Sequence, residues 1–267
     1  MADNYDMIKD KTLKDIMIPG SHNAGSYERG FSVSRSLLKK YVFCQDEDVF
    51  NQLVYGIRYL DIRISFENIK DQPEKLWIVH GILRTEITLD EVFQQVKQYL
   101  DATEKEVVLL DFHRFERGFD DFPRDEISNQ ITAERHEMVL NKLREHLLDH
   151  ISQDAKGYDI KLSEVVESGK RLVVGYAANR YIRHAALYPR VRHLWAEAEN
   201  VTTLERYFDR TVCIASGYEA TSAMAQLTPT TWGVIFDKYG GLRKMAQQVN
   251  WLISDWFSER YVYNYHH

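Results

Sequence analysis

Ile16-Met17-Ile18-Pro19-Gly20-Ser21-His22-Asn23-Ala24-Gly25-Ser26 is the stretch around which the rest of the chain falls into place. Its apolar run reads as a short buried strand that stops at Pro19-Gly20 and delivers a histidine into a turn of small residues. Two further apolar runs end the same way. Arg58-Tyr59-Leu60-Asp61-Ile62-Arg63 carries an acid and a base two positions apart, and Leu76-Trp77-Ile78-Val79-His80-Gly81 closes on a second histidine. On a strand, residues i and i+2 face the same side, so Asp61 and Arg63 point into one space. Laid side by side, the three runs gather two imidazoles, a carboxylate and a guanidinium around one pocket. That set suits acid–base chemistry on a phosphate.

Outward from these runs, strands alternate with helices. Residues 24–45 read as a long loop, followed by a helix over 46–55, strands over 57–66 and 76–82, and a helix opened by the capping box Thr88-Leu89-Asp90-Glu91. In that helix Leu89, Val92, Phe93, Val96 and Leu100 keep helical period. A fourth strand over 106–112 emits Asp111, His113 and Arg114. Helices over 133–149 and 161–168, strands over 170–177 and 192–196, and a helix over 202–210 follow. The pattern ends with a strand over 211–215, a Gly/Ser/Thr-rich loop over 216–232, a helix over 241–249 and a strand over 251–257. Eight strands alternating with helices, with no linker or repeat, predict an α/β fold: a single-domain (β/α)8 barrel of the TIM type over 1–267. His22, Asp61, Arg63, His80, Asp111 and Asp255 all fall near strand ends, where such barrels place their chemistry.

The bulk properties narrow the partners. A formal charge of −6 gives no general attraction to nucleic acid or to anionic membranes, and there is no basic stripe. Contact with lipid must therefore be local. Tyr27, Phe31, Tyr41 and Phe43 in the 24–45 loop are the candidates for it, ahead of Trp195. Only Cys44 and Cys213 are present, which excludes a disulfide framework and a cysteine zinc site. The opening Met1-Ala2-Asp3-Asn4-Tyr5-Asp6 lacks a signal-peptide pattern, and no apolar run approaches a membrane-spanning length. The expectation is a cytoplasmic monomer that touches membranes transiently. His136, His146 and His150 lie on a charged helix and read as a solvated face.

Taken in order, Ile18-Pro19-Gly20-Ser21-His22-Asn23, Gln52-Leu53, Gly56-Ile57-Arg58-Tyr59-Leu60-Asp61-Ile62-Arg63 and His80-Gly81 resemble the X-domain of phosphatidylinositol-specific phospholipases C. The likeness is greatest to the short, stand-alone X-domain-containing proteins of animals. Gln226-Leu227-Thr228-Pro229 and Ile253-Ser254-Asp255 also fit that group. The resemblance implies a distorted TIM barrel and a phospholipase C-type phosphodiesterase. His22 would act as general base toward the inositol 2-hydroxyl, His80 as general acid toward the departing diacylglycerol, and Asp255 as the carboxylate that orients His22. Arg63 would meet the charge of a phosphorane-like transition state, beside Asp61. The implied products are diacylglycerol and inositol 1,2-cyclic phosphate. Asn23, Asp111, Arg114 and Tyr176 are the candidate substrate contacts, with His113 and Arg180 from the same strand ends.

The motif is mixed with respect to metal. Calcium-dependent relatives carry acids at the positions of both Asp61 and Arg63, whereas metal-independent bacterial relatives carry arginine at the second. Asn23, Asp61 and Asp111 could offer oxygens to calcium, but a guanidinium in the same pocket repels a divalent ion by several kcal/mol at ~4 Å. The expectation is an enzyme with no metal cofactor, Arg63 taking its place. Two other functions stand beside it: a metal-dependent phospholipase acting on another head group, and a weakly active barrel that binds inositol lipid.

Overall fold

The structure, a computed structural model, describes residues 1–29, 39–81, 83–120, 125–212 and 220–261. Its centre is a six-stranded sheet built from β1 (Gly20–Ser21), β2 (Tyr59–Phe66), β3 (Leu76–His80), β4 (Leu83–Thr88), β5 (Val108–Phe115) and β6 (Leu172–Tyr176). β2 is its spine. It pairs parallel to β1 at Tyr59 and Leu60, antiparallel to β3 at Ile64 to Phe66, and parallel to β5 along its other edge. β6 continues the parallel run beyond β5. A second, two-stranded parallel sheet joins β7 (Arg192–Leu194) to β8 (Thr221–Ala223).

Alternation along the strands divides the protein into layers. Leu60, Ile62 and Ile64 of β2, Val108, Leu110 and Phe112 of β5, and Leu172, Val174 and Tyr176 of β6 all enter one large core. Behind the short helices α1 (Tyr5–Ile8) and α2 (Val49–Val54) in chain order, and ahead of α5 (Leu162–Glu167), come the two that cover this core: Val92, Phe93 and Val96 of α3 (Leu89–Asp101) and Val139 and Leu143 of α4 (Glu126–Leu147). Tyr59, Leu109 and Val173, one residue out of phase, join a second cluster with Ile16, Ile18 and Leu162. The same inward phase on β2 and β5 continues as Asp61, Arg63 and Asp111, all buried. A period of two thus sends apolar residues to the helices and charged ones to the interior. α3 carries the capping box expected from Thr88 and Glu91.

Several elements differ from the sequence reading. The first strand is Gly20–Ser21, after the apolar run, whose Ile16 and Ile18 pack as side chains into the second cluster. Leu83–Thr88 is an additional strand, turned back on β3 through Gly81 at φ +57, a conformation that costs glycine little. Residues 251–257 are helical: α8 (Leu242–Asp255) runs through most of them and a π turn, Trp256–Arg260, takes up the rest. Trp251-Leu252-Ile253 satisfies strand and helix templates alike. Burial of Met245, Val249 and Trp256 beside Leu204 and Phe208 of α6 (Val201–Thr211) decides for the helix. Of the strand expected over 211–215, Thr211 and Val212 end α6, and the rest lies outside the described residues. Among the described residues the two sheets do not close into a continuous barrel, and no helix is long and apolar enough to cross a membrane.

Candidate active site

Backbone pairing brings the three motif segments together. The Pro19 carbonyl accepts from the Arg58 and Tyr59 amides at 2.9 and 3.2 Å, and the Ala24 amide donates to the Asp61 carbonyl at 2.9 Å. Gln52 locks the turn between them: its amide donates to the Ala24 carbonyl at 2.8 Å while its carbonyl accepts from Ser21 Oγ at 2.6 Å. Gly20 is required for close approach, since a Cβ there would stand 2.6 Å from the Tyr59 ring. Asn23 closes the turn in the left-handed region, φ +49, one of the few residue types that enters it readily. His22 is thereby held over β2.

There its Nδ1 stands 2.6 Å from Asp61 Oδ2, and its Nε2 lies 3.1 Å from an Arg63 guanidinium nitrogen. With the carboxylate facing Nδ1, that nitrogen carries the proton and Nε2 keeps the lone pair, to which Arg63 donates. Burial draws the His22 imidazole down to about 4 although Asp61 pulls the other way; Arg63 and His80 add to the fall. Burial opposes ionisation of Asp61, yet His22 and His113 outweigh it and hold the carboxyl well below its usual range. His80, at the end of β3, donates from Nδ1 to the Tyr41 carbonyl at 3.0 Å. Burial, and next the Arg63 charge, lower its pKa too. The resting site therefore holds a buried carboxylate, a buried guanidinium and two neutral imidazoles.

The adjoining strand adds a second constellation. Asp111 is the register partner of Asp61, and neither has any exposed surface. Its Oδ2 accepts from Tyr59 Oη at 2.6 Å and lies 2.8 Å from His193 Nε2 on β7. His113, the extra residue of a bulge in β5, places Nδ1 2.5 Å from Asp61 Oδ1 and stacks on His193 with ring centres 4.1 Å apart. The sequence reading reached His113 but missed Tyr59 and His193. Tyr59 was legible, since it shares the phase of Asp61 and Arg63. His193, in a three-residue strand with no motif, was not.

Of the residues expected at the site, His22, Asp61, Arg63 and His80 come together, with Asn23 donating its backbone amide to Asp61 Oδ2 at 3.3 Å. Two expectations are corrected, those for Asp255 and Tyr176. Asp255 ends α8 on the protein surface, and the carboxylate against His22 is Asp61. Tyr176 has the outward phase of β6 and is buried in the core, its hydroxyl 2.8 Å from His136 Nδ1. Arg114 is half-exposed and faces Glu116 at 3.8 Å. Asp111 is wholly buried, with one oxygen engaged by Tyr59 and His193.

Two further readings change. His136 and His150 are buried and His146 pairs with Asp90 at 2.7 Å, so that helix face is packed instead of solvated. Tyr27 and Tyr41 are buried as well, and Phe31 lies outside the described residues. Exposed aromatics lie elsewhere: Tyr55 and Trp251 stand singly, while Trp232 and Phe236, 69% and 75% exposed, stack at the ends of α7 (Thr231–Ile235). The adjacent Asp237 accepts from the Tyr41 hydroxyl at 3.0 Å, linking this patch to the residue whose carbonyl holds His80. Burial pushes the Cys44 thiol up to about 11, which keeps it protonated near neutral pH.

Comparison with known proteins places this geometry. PI-PLC X domain-containing protein 1 of Danio rerio is 35% identical over 127 residues, 40% of this chain and 40% of that protein. Human PI-PLC X domain-containing protein 2 is 22% identical over 259 residues, 89% of this chain and 80% of its own. The match to a Dictyostelium discoideum PI-PLC X-box domain-containing protein, 24% identical over 176 residues, spans only 21% of that protein. The solved phosphatidylinositol-specific phospholipase C of Listeria monocytogenes superposes with a TM-score of 0.65 at 17% identity, over 95% of this chain and 87% of that one. The fold is thus of the TIM-barrel type. The family model described as phosphatidylinositol-specific phospholipase C, X domain, matches residues 16–156, more than half of the chain and every strand from β1 to β5. That stretch carries His22, Asp61, Arg63 and His80, and by it the chain belongs to the phosphatidylinositol-specific phospholipase C X-domain family.

Proposed function

We propose that this protein is a phospholipase C-type phosphodiesterase that cleaves phosphatidylinositol, or a related inositol phospholipid, by acid–base catalysis without a metal cofactor. The observation that carries the reading is the line Asp61–His22–Arg63 with His80 beside it. The phosphate of the substrate competes for the Arg63 guanidinium, which releases His22 Nε2 to act as base. His22 takes the proton from the inositol 2-hydroxyl as its oxygen attacks phosphorus. Arg63 stabilises the negative charge gathered on the non-bridging oxygens. The phosphorus–oxygen bond to glycerol then breaks and His80 delivers a proton to that oxygen, giving diacylglycerol and inositol 1,2-cyclic phosphate. His80 is neutral in the free site; the anionic phosphate is what draws a proton onto it.

The charge distribution supports the metal-free reading. The two oxygens of Asp61 face the imidazoles of His22 and His113, and Asp111 Oδ2 takes Tyr59 and His193. With Arg63 alongside, Asn23, Asp61 and Asp111 do not form the open ring of oxygens that calcium needs. The exposed Trp232, Ile235 and Phe236 supply local contact with the lipid surface, as an acidic protein requires.

Turnover of phosphatidylinositol in mixed micelles by wild type and His22→Ala, each in EGTA and in excess calcium, tests the proposal. Activity that survives EGTA and drops about 10²–10⁴-fold in the variant supports it. Activity seen only with calcium overturns the metal-free mechanism, and none under any condition overturns the assignment of substrate.

A further inference from the structure

We propose that Asp61, His113 and His193 form a binding site for a divalent transition-metal ion of the zinc class. One potential ligand atom from each of these residues lies within 4.8 Å of the other two. They come from β2, β5 and β7, so the cluster exists only in the folded protein. Asp61 Oδ1 and His113 Nδ1, 2.5 Å apart, are in contact but not aligned as a hydrogen bond. Among the described residues both atoms are buried without a hydrogen-bond partner. An imidazole nitrogen and a carboxylate oxygen this close with no aligned hydrogen bond between them form an arrangement that a cation satisfies. His22 Nδ1 meets the other Asp61 oxygen with the same lack of alignment, so one carboxylate is crowded by two imidazoles. Asp61 has no exposed surface, and its oxygen without a hydrogen-bond partner is the one in contact with His113.

The donor set selects the ion. Two imidazoles and one carboxylate suit zinc or cobalt, whereas calcium and magnesium take oxygens. The Arg63 charge opposes any divalent ion, and this one sits on the Asp61 oxygen turned to His113, across the carboxylate from the His22 side that Arg63 engages. Metal–ligand bonds of about 2.0–2.2 Å put tetrahedral ligands roughly 3.3 Å apart, so the widest separation must close by roughly 1.5 Å. A swing of the partly exposed His113 imidazole, the one not tied to Asp111, can supply that. Asp111, held by Tyr59 at 2.6 Å and lying 2.8 Å from His193 Nε2, is the carboxylate that fixes a ligand imidazole. Side-chain exposures of 16% for His113 and 15% for His193 leave each imidazole partly open to solvent. The consequence rests on the function proposed above: an ion on Asp61 occupies the carboxylate that orients His22, so the metal inhibits the phosphodiesterase.

Cobalt titration of the chelator-treated protein, followed by visible absorption, tests the site without reference to turnover. Wild type and His22→Ala should saturate at one equivalent, with zinc displacing the cobalt. His113→Gln and His193→Gln should each weaken binding by about tenfold or more. Circular dichroism reports whether each variant folds. The rise in Tm of the wild type with zinc, lost in His193→Gln, reads the same site if His113→Gln does not fold. Absorption that fails to saturate, or a titration unchanged in both variants, overturns the proposal. Binding with these dependences while saturating zinc leaves turnover intact upholds the site and overturns its inhibitory consequence. An inactive wild type leaves the titration to decide the site alone.

Discussion

Asp61 and Asp111 sit side by side on β2 and β5, in register and fully buried, yet they hold different company. Asp61 faces two imidazoles and, through one of them, the Arg63 guanidinium. Asp111 accepts from a phenol and lies beside His193. A buried carboxylate is tolerable only with partners, and both have them. Their partners differ in what they can do. His22 has a second nitrogen beside Arg63, so in the proposed mechanism Asp61 acts on the chemistry, whereas the groups around Asp111 hold one another in place.

That contrast can be broken by substitution. Asp61→Asn should produce the largest effect, about 10²–10⁴-fold in kcat on phosphatidylinositol, because His22 loses both its tautomer and the partner of its imidazolium. Arg63→Lys should cost about 10²–10³-fold, since a point charge cannot reproduce two parallel bonds to a phosphate. Asp111→Asn should cost only about 10-fold, through misplacement of Tyr59 and His193. An Asp111→Asn variant as impaired as Asp61→Asn would show that the two carboxylates work as one unit. Steady-state kinetics on the three purified variants, with melting curves to confirm folding, decide among these outcomes.

The pH profile sharpens the same comparison. His22 must be neutral to act as base, and its pKa in the free enzyme is about 4, so kcat/KM should fall as pH drops through that value. His80 must carry a proton and its pKa lies below the ordinary 6.5, so the alkaline limb of kcat/KM should lie on the acid side of 6.5. Asp61 raises the His22 pKa; the acid limb of any residual activity in Asp61→Asn should therefore move to lower pH, while in Asp111→Asn it should stay. The stability effect follows from the same shift. His22 is depressed relative to the unfolded chain, so the unfolded state binds the extra proton, and folding should weaken as pH falls from about 6.5 toward 4.

The regions that were legible in the sequence share one physical property: their information is local. Alternation of Leu60, Asp61, Ile62 and Arg63 announced a strand with a charged face, and Thr88 with Glu91 announced the start of α3. The turn of small residues after Ile18 announced a presented histidine. Asp255 was misplaced because Trp251-Leu252-Ile253 has no periodicity long enough to separate strand from helix, and tertiary burial of Met245, Val249 and Trp256 makes the choice. Tyr176 was misplaced by one residue of phase. Counting outward from Val173 and Gly175 would have turned it away from the site.

By itself, then, the sequence determined which side chains could perform the chemistry: two histidines, an aspartate and an arginine at the ends of three apolar runs. Only the tertiary structure decided which carboxylate serves which imidazole. His22 and Asp61 are 39 positions apart, and His193 stands 82 positions beyond Asp111. Contacts at that range depend on strand order and register, which no local pattern encodes.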